Sequence, residues 1–230
     1  MCRSRVHNAA DVTKGRPGKI SLTELAGIVA PIARAVAPRL IAGARAGAPD
    51  RRSTGTASAR ARSQEPVTDG DLRRLQTLAL ERHAELVRQR PARRDILVMA
   101  CVAQGAAVHR VTGRGGVKDF DVWLFYADRA GIHLNARPRA TADFGPSPHG
   151  RRTAEPSRYR GRRVDLLARS IGVPPPFDSG AISMPWPDRV AAVRAWLATG
   201  AEGSSPWWLR QKPLVAIWPQ ERLGEVVHLP

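Results

Sequence analysis

The chain is 230 residues long and carries 37 Lys and Arg against 20 Asp and Glu, which gives a formal net charge of +17. This length is enough for one domain of ordinary size with extensions, and so basic a chain attracts polyphosphates, which makes nucleotides and nucleic acids candidate ligands. The only cysteines are Cys2 and Cys101, and neither has zinc-ligand spacing with a histidine. The composition therefore argues against a disulfide framework and a structural zinc site, and it favours a cytoplasmic protein.

Residues 1–66 form the first segment, and the sequence predicts no stable fold for them. The apolar stretch at positions 20–48 is interrupted by Arg34, Arg39 and Arg45, which is too often for a membrane span. Positions 51–60 show no apolar periodicity that would offset the entropy lost on folding. We expect residues 1–66 to be disordered, or to be an extension foreign to the native protein; an Arg-rich targeting segment is the remaining alternative.

A folded core is predicted over residues 67–173, and it begins with a helix. Thr68 is a suitable N-cap, and apolar residues recur along one helical face up to about Arg90, where Pro91 stops the helix. The apolar run Ile96–Ala103 then predicts a buried strand. Gly105 marks a turn that opens a short helix, and a glycine-rich loop follows at residues 113–116.

Two acidic residues lie in the next predicted strand, Val117–Tyr126. Side chains two apart on a strand point to the same face, so Asp119 and Asp121 are expected to project together. Asp is depleted in strands and costly to bury unpaired, which indicates a function for this pair. A third acid, Asp165, lies in the apolar stretch Arg163–Leu167, and three such carboxylates suit Mg²⁺, or Mn²⁺ in its place. A plain ion pair of Asp165 with Arg162, Arg163 or Arg169 is the competing interpretation.

From residue 69 to about 170, this order of strand, glycine turn with helix, Asp-x-Asp strand and later single Asp resembles the DNA polymerase β-like nucleotidyltransferase superfamily. The resemblance implies an α/β fold with a short mixed sheet and flanking helices. It implies that Asp119 and Asp121 hold both metal ions, and that Asp165 completes the second ion's site and acts as base toward an acceptor hydroxyl. It also implies that phosphates bind to the backbone N–H groups of Gly105 and Ala106. The family usually has Ser or Gly at the position of Ala106, and alanine has no hydroxyl, so only the backbone can donate there. Lys118 would neutralise triphosphate charge.

A long Arg-rich loop is predicted at residues 137–163, between the strands that carry the acids. Arg side chains in such a loop would grip a triphosphate or a nucleic-acid backbone. A disordered loop without contacts is the alternative.

Residues 174–230 differ in character and are predicted to form a small, helical, Trp-rich C-terminal extension. The Pro174-Pro175-Pro176 run separates it from the core, and Trp186-Pro187 opens a helix that Gly200 ends. The tryptophans of this region either pack its core or stack on a base, and packing is the interpretation we favour.

The sequence therefore predicts a metal-dependent nucleotidyltransferase that moves a nucleoside monophosphate from a nucleoside triphosphate to a hydroxyl acceptor. The alternative is a catalytically inactive scaffold of the same type that serves as a basic nucleic-acid-binding or partner-binding module. RNA, a protein side chain and a small molecule all stay open as acceptors.

Overall fold

The computed structural model describes residues 62–134, 139–174, 177, 180–199 and 207–230. The segment 1–66, for which the sequence predicts disorder, lies outside these ranges except for residues 62–66. These last residues contact the core, because Ser63 is buried and exchanges two backbone hydrogen bonds with Val117, at 2.8 and 2.7 Å. The boundary predicted at residue 67 is therefore wrong by a few residues.

Within the described ranges, six strands form one mixed sheet. In chain order they are β1 (Leu97–Ala103), β2 (Phe120–Ala127), β3 (Ala140–Asp143), β4 (Arg163–Ile171), β5 (Leu214–Trp218) and β6 (Val226–His228). Their spatial order is β3-β4-β2-β1-β5-β6. Strands β2 and β4 are parallel, and every other neighbouring pair is antiparallel. With the helices that pack on it, this sheet confirms the predicted α/β class and the mixed strand directions.

The first helix, α1 (Asp69–Gln89), has the predicted bounds. Thr68 and Asp71 form a capping box, in which each side chain accepts a hydrogen bond from the backbone N–H of the other, at 2.8 and 3.1 Å. The buried side of α1 covers one face of the sheet, where Nδ1 of His83 lies 3.0 Å from the hydroxyl of Tyr126 on β2. None of the helices in the described ranges is long and apolar enough to cross a membrane.

Three further helices complete the described fold: α2 (Gln104–Thr112), α3 (Trp186–Ala198) and α4 (Trp207–Arg210). The alternation of side chains along β2 sends Tyr126 toward α1 and sends Trp123 and Phe125 to the opposite face. There the ring of Trp196 on α3 lies 6.0 Å from that of Trp123 and 5.4 Å from that of Phe125. Trp196 is therefore a packing residue, as favoured from the sequence.

The C-terminal region is not the separate helical extension that the sequence predicts. Its strand β5 pairs with β1, and β6 pairs with β5, so residues 214–228 belong to the same sheet as the acid-bearing strands. The physical reason is that every residue of β1 is buried, which requires a neighbour on each side of it. The predicted division between a core at 67–173 and an extension at 174–230 is wrong.

Candidate functional site

The sheet register brings two of the predicted acids side by side. Asp121 on β2 is paired with Asp165 on β4 in the parallel ladder, so their side chains leave the same face of neighbouring strands. Asp119 lies one residue before β2, because Val117 pairs with Ser63 and the strand begins only at Phe120. The predicted strand start at Val117 is thus corrected, while the acid cluster remains.

The three carboxylates lie close enough to affect one another's charge. The pKa of Asp121 is raised to about 7, first by its burial and then by the negative charges of Asp119 and Asp165, against the opposing charges of Arg139 and Arg163. In the protein alone, Asp121 therefore keeps its proton to a much higher pH than an ordinary aspartic acid does. A group of this kind favours a nearby cation, because the cation would remove the repulsion that retains the proton.

Two arginines already contact the acid cluster. Arg139 donates a hydrogen bond from Nη2 to Oδ2 of Asp165, whose side chain is only 3% exposed. Arg163 places Nη2 3.2 Å from the same oxygen and 3.5 Å from Oδ2 of Asp119. Its Nε lies 3.1 Å from Oδ1 of Asp165, yet the angle makes no hydrogen bond, so this Oδ1 is a buried acceptor without a hydrogen-bond donor.

The ion pair considered from the sequence is thus present, with a different set of arginines. Of the three that flank Asp165 in sequence, Arg163 contacts it. Arg162 instead donates to the backbone carbonyls of His149 and Lys118, at 2.8 and 3.3 Å, and Arg169 lies over the ring of Trp196 at 5.9 Å. Arg139 was the partner that sequence proximity to Asp165 does not reveal.

No group of three or more His, Cys, Asp or Glu side chains in the described ranges has the geometry to hold a metal ion as it stands. The donors themselves suit Mg²⁺ or Mn²⁺, because they are carboxylate oxygens and one of them, Oδ1 of Asp165, lacks a hydrogen-bond donor. In the observed arrangement the arginines supply the positive charge at Asp165 that a metal ion would otherwise supply.

Helix α2 begins directly beside the acids, because β1 ends at Ala103, the residue paired with Asp121. No side chain caps this helix end, and Gln104 adopts φ = +58°, a left-handed conformation that is strained for a residue other than glycine. Ala106 is fully buried, backbone included, whereas Gly105 is partly exposed. The start of α2 therefore brings the partly exposed backbone of Gly105 next to the carboxylates, and an uncapped helix start suits an anionic ligand. The unusual φ of Gln104 was not predictable from the sequence.

Lys118, the predicted triphosphate contact, lies on the surface beside the cluster. Its Nζ is 3.5 Å from Oδ2 of Asp119, and half of its side chain is exposed. In the protein alone Lys118 is thus an ion-pair partner of Asp119.

The described part of the Arg-rich loop, residues 139–163, is ordered by internal contacts. The carboxylate of Asp143 accepts backbone hydrogen bonds from Gly145, Arg160 and Gly161 at 2.8, 2.8 and 2.9 Å. Burial opposes ionisation of this side chain, but the three N–H donors outweigh it and lower the pKa of Asp143. The disordered alternative is therefore wrong for these residues, and Asp143 is an organising residue that the sequence analysis missed.

Several arginines of the loop contact other parts of the protein, even where their side chains are exposed. Arg151 donates to the carbonyls of Ser157 and Tyr159, at 3.4 and 3.3 Å, and Arg158 lies over the ring of Tyr159. Arg139, Arg151, Arg158 and Arg160 keep an exposed surface, whereas Arg137 lies outside the described residues. A nucleic acid would therefore meet a smaller basic surface than the sequence suggests.

Comparison of the chain with protein-family models, with curated proteins and with solved structures finds no match.

Proposed function

We propose that the protein is a metal-dependent nucleotidyltransferase whose site is the cluster of Asp119, Asp121 and Asp165. The observation that carries the proposal is the pairing of Asp121 with Asp165 on adjacent parallel strands, with Asp119 near enough to raise the pKa of Asp121. Three carboxylates gathered at the end of two strands repel one another, and the pKa of Asp121 stays raised despite the nearby arginines, so the cluster needs a further reason. The binding of a divalent cation and a polyphosphate would be such a reason.

The order of elements around the acids supports the same proposal. Strand β1 leads through the strained residue Gln104 into α2, and β2 and β4 follow with the acids on them. This is the order for which the sequence resembles the polymerase β-like nucleotidyltransferases. The resemblance also implies the chemistry, which is attack of an acceptor hydroxyl on the α-phosphate with release of pyrophosphate.

The residues have separate tasks in this proposal. The carboxylates of Asp119 and Asp121 supply ligand oxygens, and Asp121 gives up its proton as the site becomes positively charged. The N–H group of Gly105 at the start of α2 binds a phosphate oxygen, and that of the buried Ala106 can join it only after its neighbours move. Lys118 turns from Asp119 toward the triphosphate. Bound Mg²⁺ would supply charge stabilisation for the reacting phosphate and lower the pKa of the acceptor hydroxyl.

Asp165 has two roles in the resemblance: metal ligand and base toward the acceptor. Its side chain is almost fully buried and contacts both Arg139 and Arg163, so it is positioned by charge before any substrate arrives. Either role requires that at least one oxygen of Asp165 is released from these guanidinium groups.

A second candidate function, a basic binding module without catalysis, is favoured by the same ion pairs. If Arg139 and Arg163 neutralise Asp165 permanently, the cluster is a structural element, and the exposed Arg151, Arg158 and Arg160 bind phosphate backbones. The two candidates differ in their dependence on metal and on salt.

The test compares the wild type with Asp119→Ala/Asp121→Ala and with Asp95→Ala, an exposed acid outside the cluster. Nucleoside triphosphate binding is measured by calorimetry with Mg²⁺ and with EDTA, and transfer of an α-phosphate label is followed to added RNA and to the protein itself. We expect Mg²⁺-dependent binding and transfer in the wild type and in Asp95→Ala, and neither in the double variant. The binding module would be established by a different result: RNA binding that weakens steeply with salt and is unchanged in the double variant, together with no Mg²⁺-dependent nucleotide binding.

A further inference from the structure

Arg139 and Asp165 form an ion pair in which the two partners differ sharply in exposure. The carboxylate of Asp165 is 3% exposed, whereas the side chain of Arg139 is 56% exposed. Arg139 lies immediately before the edge strand β3, whose residue Thr141 pairs with Asp165 in the ladder. The guanidinium of Arg139 therefore reaches a buried anion from the solvent side.

Arg163 contacts the same carboxylate but is held there by its own strand. It lies on β4, two residues before Asp165, so both side chains leave the same face of one strand. Its side chain is 31% exposed and also contacts Asp119, at 3.5 Å. Moving Arg163 away would require a change in two contacts made from a fixed backbone position, whereas Arg139 can leave by rotation of an exposed side chain.

When Arg139 leaves, Asp165 keeps Arg163, but a buried carboxylate that loses one of two cationic partners is less stable unless another cation takes the vacated place. The departure of Arg139 and the arrival of another cation at Asp165 are thus linked events. Two cations that use the same oxygen compete, and each lowers the apparent affinity of the other.

We propose that Arg139 is a built-in competitor for the divalent cation: it occupies Oδ2 of Asp165 in the metal-free protein and must leave before the acid cluster accepts a metal ion. This inference rests on the metal site of the proposed function and adds a means of regulation to it. In the metal-free protein, the ion pair with Arg139 blocks metal binding at Asp165. The carboxylate becomes available to a metal ion when the guanidinium pairs with another anion. A triphosphate at the first turn of α2 offers such an anion, so nucleotide and metal ion would enter together.

The competition predicts opposite effects of one substitution on stability and on metal affinity. Without metal, Arg139→Gln leaves Asp165 with Arg163 alone, so its melting temperature falls below that of the wild type. With Mn²⁺, the same variant binds the ion about tenfold more tightly, because no guanidinium has to leave. Saturating Mn²⁺ therefore narrows or reverses the difference in melting temperature between Arg139→Gln and the wild type.

The experiment titrates Mn²⁺ into the full chain, follows the free ion by electron paramagnetic resonance, and records thermal melts in EDTA and in saturating Mn²⁺. Arg160→Gln is the matched control, since it removes the same charge from an exposed arginine of the same loop and retains the backbone N–H that binds Asp143. Arg139→Lys, which keeps the charge but loses the planar donor group, is expected to lie between the wild type and Arg139→Gln, and it serves if Arg139→Gln does not fold.

The outcomes separate this inference from the proposed function. Wild type that binds Mn²⁺ with the same affinity as Arg139→Gln would overturn the competition and leave the metal site intact. An equal gain of affinity in Arg160→Gln would also overturn it, because net charge alone would then explain the effect. Absence of Mn²⁺ binding in every variant would overturn the metal site and this inference together.

Discussion

At the scale of the single residue, Asp121 has the most unfavourable position in the cluster. Its folded-state pKa of about 7 exceeds the ordinary value of 3.8, so the unfolded chain releases this proton more readily. The penalty for ionising Asp121 is therefore absent well below pH 4, grows as the pH rises toward 7 and is complete above it. In the metal-free protein, Asp121 weakens the fold at neutral and alkaline pH.

Replacement of Asp121 by Asn removes this pH dependence. We expect Asp121→Asn to gain stability relative to the wild type as the pH rises from 5 to 8 in EDTA, by up to about 2–3 kcal/mol. Urea unfolding at the two pH values measures the difference in the free energy of unfolding. A difference between variant and wild type that is the same at pH 5 and pH 8 would show that burial and the neighbouring acids do not raise the pKa of Asp121.

The sequence predicts the acids of the site but not their partners. Asp119, Asp121 and Asp165 stand out because acids are unusual in apolar strands, and this pattern is local. The contact between Arg139 and Asp165 depends on the antiparallel pairing of β3 with β4, which joins residues 26 positions apart. A local pattern holds no information on such a pairing.

At the scale of the element, the first turn of α2 is the part that tests whether phosphates bind to its backbone. A Cβ atom added to Gly105 would meet no other atom closer than 3.9 Å, so the fold itself does not require glycine there. We expect Gly105→Ala to fold with equal stability, or with a gain of up to about 1 kcal/mol, since alanine favours helix.

The same substitution should weaken nucleotide binding if phosphates approach this backbone closely. Calorimetric titration with a nucleoside triphosphate and Mg²⁺ measures the loss, and the urea midpoint of the same preparation shows that the fold is intact. Unchanged nucleotide affinity in Gly105→Ala would place the phosphates elsewhere.

The ordered loop between β3 and β4 depends on a close approach of two backbone segments. A Cβ atom on Gly161 would lie 1.8 Å from the carbonyl oxygen of Gly145, so the loop must shift to accept any side chain. We expect Gly161→Ala to lower the free energy of unfolding by about 1–3 kcal/mol. Gly172→Ala is the matched control, because no atom lies within 4 Å of its added Cβ, and it should unfold like the wild type in urea. Equal stability of the two variants would contradict the described loop.

Elements with a long periodic signal were predictable, and short ones were not. The capping residues and the apolar face of α1 gave its bounds correctly, because both signals lie within the helix itself. The start of β2 was placed too early, since the pairing of Val117 with Ser63 is a contact between distant segments. The short apolar run Leu214–Trp218 gives no indication of which strand it pairs with.

At the scale of the whole molecule, the C-terminal residues complete the sheet on which the site depends. The sheet order places β5 next to β1, and β1 is the neighbour of the acid-bearing β2. The acids therefore rest on a scaffold that draws its strands from residues 97 to 228. Disturbance of the C-terminal region should reach the site even though that region contributes no residue to the cluster.

Replacement of a buried residue on β5 tests this continuity. Ile217 is fully buried, and Ile217→Ala should lower the free energy of unfolding by about 2–5 kcal/mol. Because β5 and β2 belong to one sheet, the backbone amides of β2 should exchange with solvent faster by the corresponding factor. Leu229→Ala is the matched control, since this leucine is 61% exposed near the same end of the chain and its loss should change neither quantity. If Ile217→Ala sped exchange only within residues 207–230, the C-terminal region would unfold by itself. That result would support the separate extension predicted from the sequence.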